Sequence, residues 1–168
     1  MFEIEELLEI YAKNIADFID LCEGKLVVFD FDGTLTKLQY TENRILPCFD
    51  EKLQQYTLEG GNVYQNAKML KTMQYVFSKL NLENVRVLTT SVPALRDIKS
   101  GLINKHFLLP LNQIIHSDND LHKLFFLKQI YEQEKREIIF VEDTVKTLLN
   151  AEETLDFVRG YHISNFLA

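Results

Sequence analysis

Residues 26–36 read Leu-Val-Val-Phe-Asp-Phe-Asp-Gly-Thr-Leu-Thr, so four apolar residues run directly into a polar turn that carries two aspartates. A short continuous apolar run is typical of a strand that is buried on both faces of a parallel sheet. Four further runs follow, at Val85–Leu88, Ile114–Ile115, Ile138–Val141 and, more weakly, Phe157–Ile163. Segments with helical periodicity alternate with them, and this alternation predicts an α/β fold with a doubly wound, five-stranded parallel sheet.

The helices predicted between the strands lie at residues 66–80, 93–104, 119–134 and 144–154. An extra amphipathic helix precedes the first strand, within residues 1–23. Residues 37–64 are less regular and contain one proline and a glycine pair, so we expect a small insertion there, a cap or flap over the sheet edge. The 168 residues suffice for one well-buried domain, and we expect residues 1–168 to form a single domain.

The charge balance disfavours nucleic acid as a partner, because 25 acidic and 18 basic side chains give a net charge of −7. The segment from Met1 to Leu21 carries glutamates where a secretory signal would carry basic residues, and no apolar run approaches the length of a membrane span. We therefore expect a cytoplasmic protein with no membrane partner. Cys22 and Cys48 lack the spacing of a zinc site or a redox pair, and we expect both to be reduced.

Asp30 and Asp32 occupy positions i and i+2 of an extended segment, which places both carboxylates on one side of the chain, and Gly33 then permits a sharp turn. Two unit charges about 4 Å apart repel by about 4 kcal/mol at an effective dielectric constant near ~20. A divalent cation beside them would reverse this cost, and ligands that are all oxygens favour Mg²⁺. The alternative is a polar turn that happens to hold two aspartates.

The segment Asp30–Thr34 resembles the first motif, Asp-x-Asp-Gly-Thr, of phosphatases of the haloacid dehalogenase (HAD) superfamily. In that family the second strand ends in Thr or Ser, a Lys precedes the fourth strand by a helix, and the fourth strand ends in an acid. The corresponding positions here hold Thr89-Thr90-Ser91, Lys123 and Glu142-Asp143. The resemblance extends over residues 25–163 and implies a Rossmann-like core of the small-cap or capless type.

The resemblance also implies a role for each matched residue. Asp30 would attack phosphorus and form an aspartyl-phosphate, and Asp32 would act as general acid and base. Mg²⁺ would bind the Asp30 carboxylate, the backbone carbonyl of Asp32 and Asp143. Thr89 would donate a hydrogen bond to a phosphoryl oxygen, and Lys123 would add positive charge and keep Asp30 ionised.

Several of these roles have alternatives in the sequence. Thr90 competes with Thr89 as the phosphate-binding hydroxyl, and Lys128 competes with Lys123. Asp143 could equally serve as the N-cap of the helix that follows it.

One position departs from the family pattern. Many members carry a further acid four residues after the position of Asp143, and this chain has Thr147 there. Glu142, next to Asp143, is the candidate replacement as a metal ligand.

The function expected from these residues is that of a Mg²⁺-dependent phosphomonoester hydrolase with an open site. Its substrate would be a phosphorylated small molecule or a phosphoprotein. A homo-oligomer, in which subunits cover one another's sites, is an alternative to the open site. A catalytically weak binding module with the same fold is the alternative function, motivated by Thr147. Four basic residues on segments near the site either read an acidic substrate or are solvated surface charges: Arg44, Arg96, Lys99 and Lys146.

Overall fold

The computed structural model of the chain describes residues 4–37, 55–56, 59–65 and 67–166. Most of the predicted insertion at 37–64, including Arg44 and Cys48, lies outside these described residues. Among the described helices, none combines the length and apolarity that crossing a membrane requires.

Five parallel strands form the central sheet, as the apolar runs predict. In chain order they are β1 (Leu26–Phe29), β4 (Val85–Thr90), β5 (Ile114–Ser117), β6 (Ile138–Glu142) and β7 (Val158–His162). The strands numbered between β1 and β4 form a separate pair, which is described below. Their order across the sheet is β5-β4-β1-β6-β7, so the first strand of the chain lies at the centre. Crossovers then run in both directions from β1, which is the arrangement of a doubly wound fold.

The strand register brings the ends of neighbouring strands together. Val27 of β1 pairs with Val85 of β4, and Phe29 of β1 pairs with Val141 of β6. Because all strands are parallel, their carboxyl ends lie at one edge of the sheet, which is where α/β proteins bind ligands.

Helices cover both faces of this sheet. They are α1 (Ile4–Leu21), α2 (Lys71–Lys79), α3 (Arg96–Phe107), α4 (Asp120–Glu134) and α5 (Val145–Thr154). One core is formed by side chains of α1, α2 and α3 with one face of the strands, and it includes Phe18, Phe29 and Ile103. The second core joins α4 and α5 to the opposite face through Leu127 and Leu148.

The N-terminal helix α1 is an integral part of the first core. Phe18 is 1% exposed, and its ring packs against those of Phe29, Tyr161 and Phe166 at centroid distances of 4.7 to 6.2 Å. At the same helix, the hydroxyl of Tyr11 donates a hydrogen bond to Thr72. The C-terminal half of α1 is therefore buried against this chain's own core.

A short antiparallel pair, β2 (Thr36–Lys37) with β3 (Lys68–Met69), links the segment after β1 to the segment before α2. This pairing corrects the prediction of a helix over 66–80, because α2 begins only at Lys71. Residues 68 and 69 adopt the extended conformation needed to pair with Thr36 and Lys37, and the helix cannot begin before that strand ends.

Candidate functional site

The turn after β1 brings Asp30 to the edge of the sheet. Its backbone N–H donates to the carbonyl of Val141 at 2.9 Å, which extends the pairing between β1 and β6, and its side chain is buried. Gly33 lies two residues beyond Phe31 with a φ of +80°, a conformation that favours glycine. A Cβ there would lie 2.1 Å from Oδ2 of Asp143, so the absence of a side chain lets the two loops approach.

Three carboxylates converge at this edge from two neighbouring strands. One oxygen from each of Asp30, Glu142 and Asp143 lies within 4.8 Å of the others, with the first two residues buried and the third exposed. Hard divalent cations such as Mg²⁺ prefer ligands of this kind, and the exposed member leaves a path to solvent. The donor set therefore fits the metal that the sequence predicts.

Lys123, on the first turn of α4, neutralises part of this acidic cluster. Its Nζ donates to Oδ1 of Asp30 and to Oε2 of Glu142, each at 2.8 Å, and the side chain is 4% exposed. Burial alone would lower the pKa of Lys123, but the two carboxylates outweigh it and hold the pKa above its ordinary value. The ammonium is therefore a permanent charge at the buried side of the site.

Burial dominates the titration of the two buried acids. Desolvation, together with the charges of Glu142 and Asp32, raises the pKa of Asp30 to about 7 even though Lys123 opposes the shift. Desolvation likewise raises the pKa of Glu142 to about 7, again against the pull of Lys123. Negative charge is costly in this cluster, and a bound cation would relieve that cost.

Glu142 also organises the start of α5. Its Oε1 accepts hydrogen bonds from the backbone N–H groups of Asp143 at 3.1 Å and Thr144 at 3.4 Å. The residue at the N-cap of α5 is Thr144, so the alternative that Asp143 caps this helix is wrong. The carbonyl of Asp143 is within 2.9 Å of Nε2 of His162 on β7, a contact that anchors the loop.

The two threonines at the end of β4 have different surroundings. Thr89 is fully buried, and its hydroxyl accepts a hydrogen bond from Nζ of Lys99 at 3.1 Å. The hydroxyl of Thr90 donates to Oδ1 of Asp120 at 2.8 Å and contacts the Ser117 hydroxyl at 3.1 Å. Thr89 thus lies beside the ammonium group of Lys99, while the Thr90 hydroxyl forms hydrogen bonds with β5 and α4.

Asp32 does not join the three converging carboxylates with its side chain. Its Oδ2 accepts from Nζ of Lys99 at 2.5 Å, and its Oδ1 accepts from the hydroxyl of Tyr64 at 2.8 Å. The two aspartates of the motif are therefore paired with two different lysines, Asp30 with Lys123 and Asp32 with Lys99.

Tyr64 was not predicted as a site residue, and Lys99 was predicted only as one of four basic candidates near the site, without its contact to Asp32. Lys99 was expected to read substrate or to be a solvated charge, but it is 2% exposed. A signal existed, because Lys99 falls in the row Leu95, Lys99, Ile103 and Phe107, whose four-residue spacing marks the buried face of α3. Tyr64 is the last residue of the irregular segment 37–64 and had no comparable pattern.

The other basic candidates do not enter the described site. Arg96 pairs with Asp118 at 2.7 Å at the surface, and Lys146 is exposed on α5. Lys128, the alternative to Lys123, is exposed on α4. Of the two competing lysines, Lys123 is the one that contacts Asp30.

His116 on β5 lies close to the site without contacting its carboxylates in the described structure. Its Nδ1 is 2.9 Å from the Ser91 hydroxyl and its Nε2 is 2.8 Å from the Ser100 hydroxyl. Burial, followed by the charges of Lys99 and Arg96, lowers the pKa of His116 to about 4. The imidazole is therefore neutral at physiological pH.

The arrangement can hold a divalent cation on carboxylate oxygens and place two ammonium groups and a hydroxyl beside it. Such a set can bind an anionic group and move a proton. Scanned against models of known protein families, the chain matches none, and a search of curated proteins finds no significant match.

Proposed function

We propose that the protein is a Mg²⁺-dependent phosphomonoester hydrolase, as its resemblance to HAD phosphatases implies. The observation that carries the proposal is the convergence of Asp30, Glu142 and Asp143 within 4.8 Å, at the sheet edge where ligands bind in this fold. A cluster of buried acids beside a buried ammonium is costly to maintain, and active sites are where such costs are commonly retained.

In the first step, an oxygen of Asp30 attacks phosphorus and forms an aspartyl-phosphate. The bond between phosphorus and the leaving oxygen breaks, and Asp32 donates a proton to that oxygen. In the second step a water attacks phosphorus, Asp32 accepts its proton, and the bond from phosphorus to Asp30 breaks to release phosphate. The same carboxyl group thus gives up a proton and regains one, and each cycle restores the starting state.

The remaining residues bind and orient the reacting groups. Lys123 holds the Asp30 carboxylate through its Oδ1, and its positive charge offsets the repulsion between that carboxylate and a phosphoryl group. The hydroxyl of Thr89, which accepts from Lys99 at the end of β4, would donate its own proton to a phosphoryl oxygen. Mg²⁺ held by Asp30, Asp143 and Glu142 would supply charge neutralisation of the phosphoryl oxygens.

Glu142 supports a metal site despite the missing acid at position 147. It belongs to the converging set, and its Oε1 is held by two backbone N–H groups while its Oε2 is held by Lys123. Its orientation is therefore determined from both sides.

The test is Mg²⁺-dependent hydrolysis of p-nitrophenyl phosphate by the full chain. We expect turnover that EDTA stops, loss of turnover in Asp30→Asn, and a requirement for about tenfold more Mg²⁺ in Asp143→Asn. Asp17→Asn is the matched control, because Asp17 is an exposed carboxylate whose removal leaves the site untouched.

Turnover that persists without metal, or in Asp30→Asn, would overturn the proposal. Mg²⁺ binding without turnover on a panel of phosphorylated metabolites and phosphopeptides would instead support the binding module that Thr147 motivates. A rise in thermal stability on adding Mg²⁺ to the inactive protein would report that binding.

A further inference from the structure

The carboxylate of Asp32 is held on both of its oxygens by donors from different parts of the chain. Lys99 of α3 reaches Oδ2 at 2.5 Å, and Tyr64, which precedes β3, reaches Oδ1 at 2.8 Å. A single hydrogen bond leaves a carboxyl group free to rotate about its own axis. Donors on both oxygens fix that rotation as well as the position of the group.

Lys99 uses its whole ammonium to connect the loop after β1 with the end of β4. Besides Asp32, its Nζ donates to the carbonyl of Thr90 at 2.6 Å and to the hydroxyl of Thr89 at 3.1 Å. Three donors thus meet three acceptors, which satisfies a side chain that is only 2% exposed. Lys99 therefore fixes the position of Asp32 relative to β4, the strand that carries the proposed phosphate-binding hydroxyl of Thr89.

Tyr64 is held in place by ring contacts that are separate from its hydroxyl. Its ring centroid lies 5.9 Å from that of Phe31, and Nζ of Lys99 lies 5.6 Å from the Tyr64 centroid. Removing the hydroxyl would leave these ring contacts in place. The contribution of the hydroxyl to Asp32 can therefore be separated from that of the ring.

We propose that Lys99 and Tyr64 are positioning residues that aim the Asp32 carboxyl group for proton transfer. The inference rests on the proposed function, in which Asp32 protonates the leaving oxygen. Proton transfer requires the donor within hydrogen-bond reach of that oxygen, so a carboxyl group free to rotate is a poorer general acid. The two side chains act through Asp32, and their loss matters most when the leaving group needs a proton.

The experiment measures hydrolysis of a series of substituted phenyl phosphates with saturating Mg²⁺. These esters share one shape and differ in the basicity of the leaving oxygen, so they report proton donation separately from binding. In Lys99→Met and in Tyr64→Phe, we expect phenyl phosphate to lose about tenfold more kcat/KM than p-nitrophenyl phosphate, which needs little protonation, because kcat/KM reports the step in which the leaving oxygen departs. The Mg²⁺ requirement is expected to stay unchanged.

A double-mutant cycle separates positioning from general structural support. If Lys99 acts through Asp32, Lys99→Met has no further effect on turnover in an Asp32→Asn background. Lys128→Met at an exposed position of α4 and Tyr75→Phe at an exposed position of α2 are matched controls, and both should behave as the wild type. Tyr64→Phe decides the question if Lys99→Met fails to fold.

Equal losses of kcat/KM for every ester, or losses that add in the Asp32→Asn background, would overturn the positioning roles and leave the proposed function standing. A wild-type protein that hydrolyses none of the esters with Mg²⁺ would overturn the proposed function, and the positioning roles with it. The two failures are thus distinguished by the wild type alone.

Discussion

Replacing Asp30 by Asn is expected to stabilise the metal-free protein, and to do so more at alkaline than at acidic pH. Asp30 is buried, and desolvation raises its pKa to about 7 from an ordinary value of 3.8. Between these two values the folded state holds a proton that the unfolded state has released. The stability of the wild type therefore falls as the pH rises from about 4 to about 7.

The size of the effect follows from the shift in pKa. Each pKa unit corresponds to about 1.4 kcal/mol in the free energy of unfolding. The raised pKa of Asp30 therefore lowers that free energy by about 4 kcal/mol once Asp30 is ionised in both the folded and the unfolded state, and by about 1.5 kcal/mol near pH 5. Asn carries no charge at either pH, so it escapes both costs. Since water entering the site reduces the cost of charge, we expect Asp30→Asn to gain about 2 kcal/mol more stability at pH 8.5 than at pH 5.

Urea denaturation in EDTA at the two pH values measures this difference. Glu142 also has a raised pKa, and its charge raises the pKa of Asp30, so the measured difference reports the two coupled carboxylates together. In a thermal melt, the same difference corresponds to about 4 to 8 °C. The control Asp17→Asn removes an exposed carboxylate and should change stability by less than about 0.5 kcal/mol.

A loss of stability in Asp30→Asn at both pH values would refute this reasoning. It would mean that the ion pair with Lys123 outweighs the desolvation of Asp30. A gain of equal size at both pH values would likewise show that the ionisation of Asp30 is not what limits stability.

Two further variants test the packing of the fold and the approach of the loops. Phe18→Ala should lower the free energy of unfolding, measured by urea denaturation, by about 3 to 5 kcal/mol, because Phe18 is 1% exposed in the core. Leu8→Ala, at a 61% exposed position, should lower it far less. Equal losses in the two variants would contradict the burial of Phe18. Gly33→Ala should destabilise the protein more than Gly24→Ala. Both glycines have a positive φ, but of the two only Gly33 has a group, the Asp143 carboxylate, within 2.1 Å of the position that a Cβ would occupy. Matching losses in melts of the two glycine variants would exclude that steric conflict.

The strands could be predicted from the sequence because burial on both faces of a parallel sheet requires unbroken apolar runs. Thr89 and Lys123 could be named because the resemblance to HAD phosphatases assigns each role to a fixed place relative to a strand. The role of Lys99 could not, since its partner Asp32 is 67 positions away and only the folded chain brings them together. The predicted start of α2 was wrong for a similar reason. The pairing of Lys68 with Lys37 is a tertiary contact, and local propensity does not report such contacts.

The central place of β1 affects how the chain is made. Its neighbours β4 and β6 both follow it in the sequence, so during synthesis the segment Leu26–Phe29 leaves the ribosome long before either partner exists. The sheet cannot close around it until Ile138 has emerged. In the meantime this apolar segment is exposed to chaperones and to aggregation, and slowing translation ahead of β6 should lengthen that exposure.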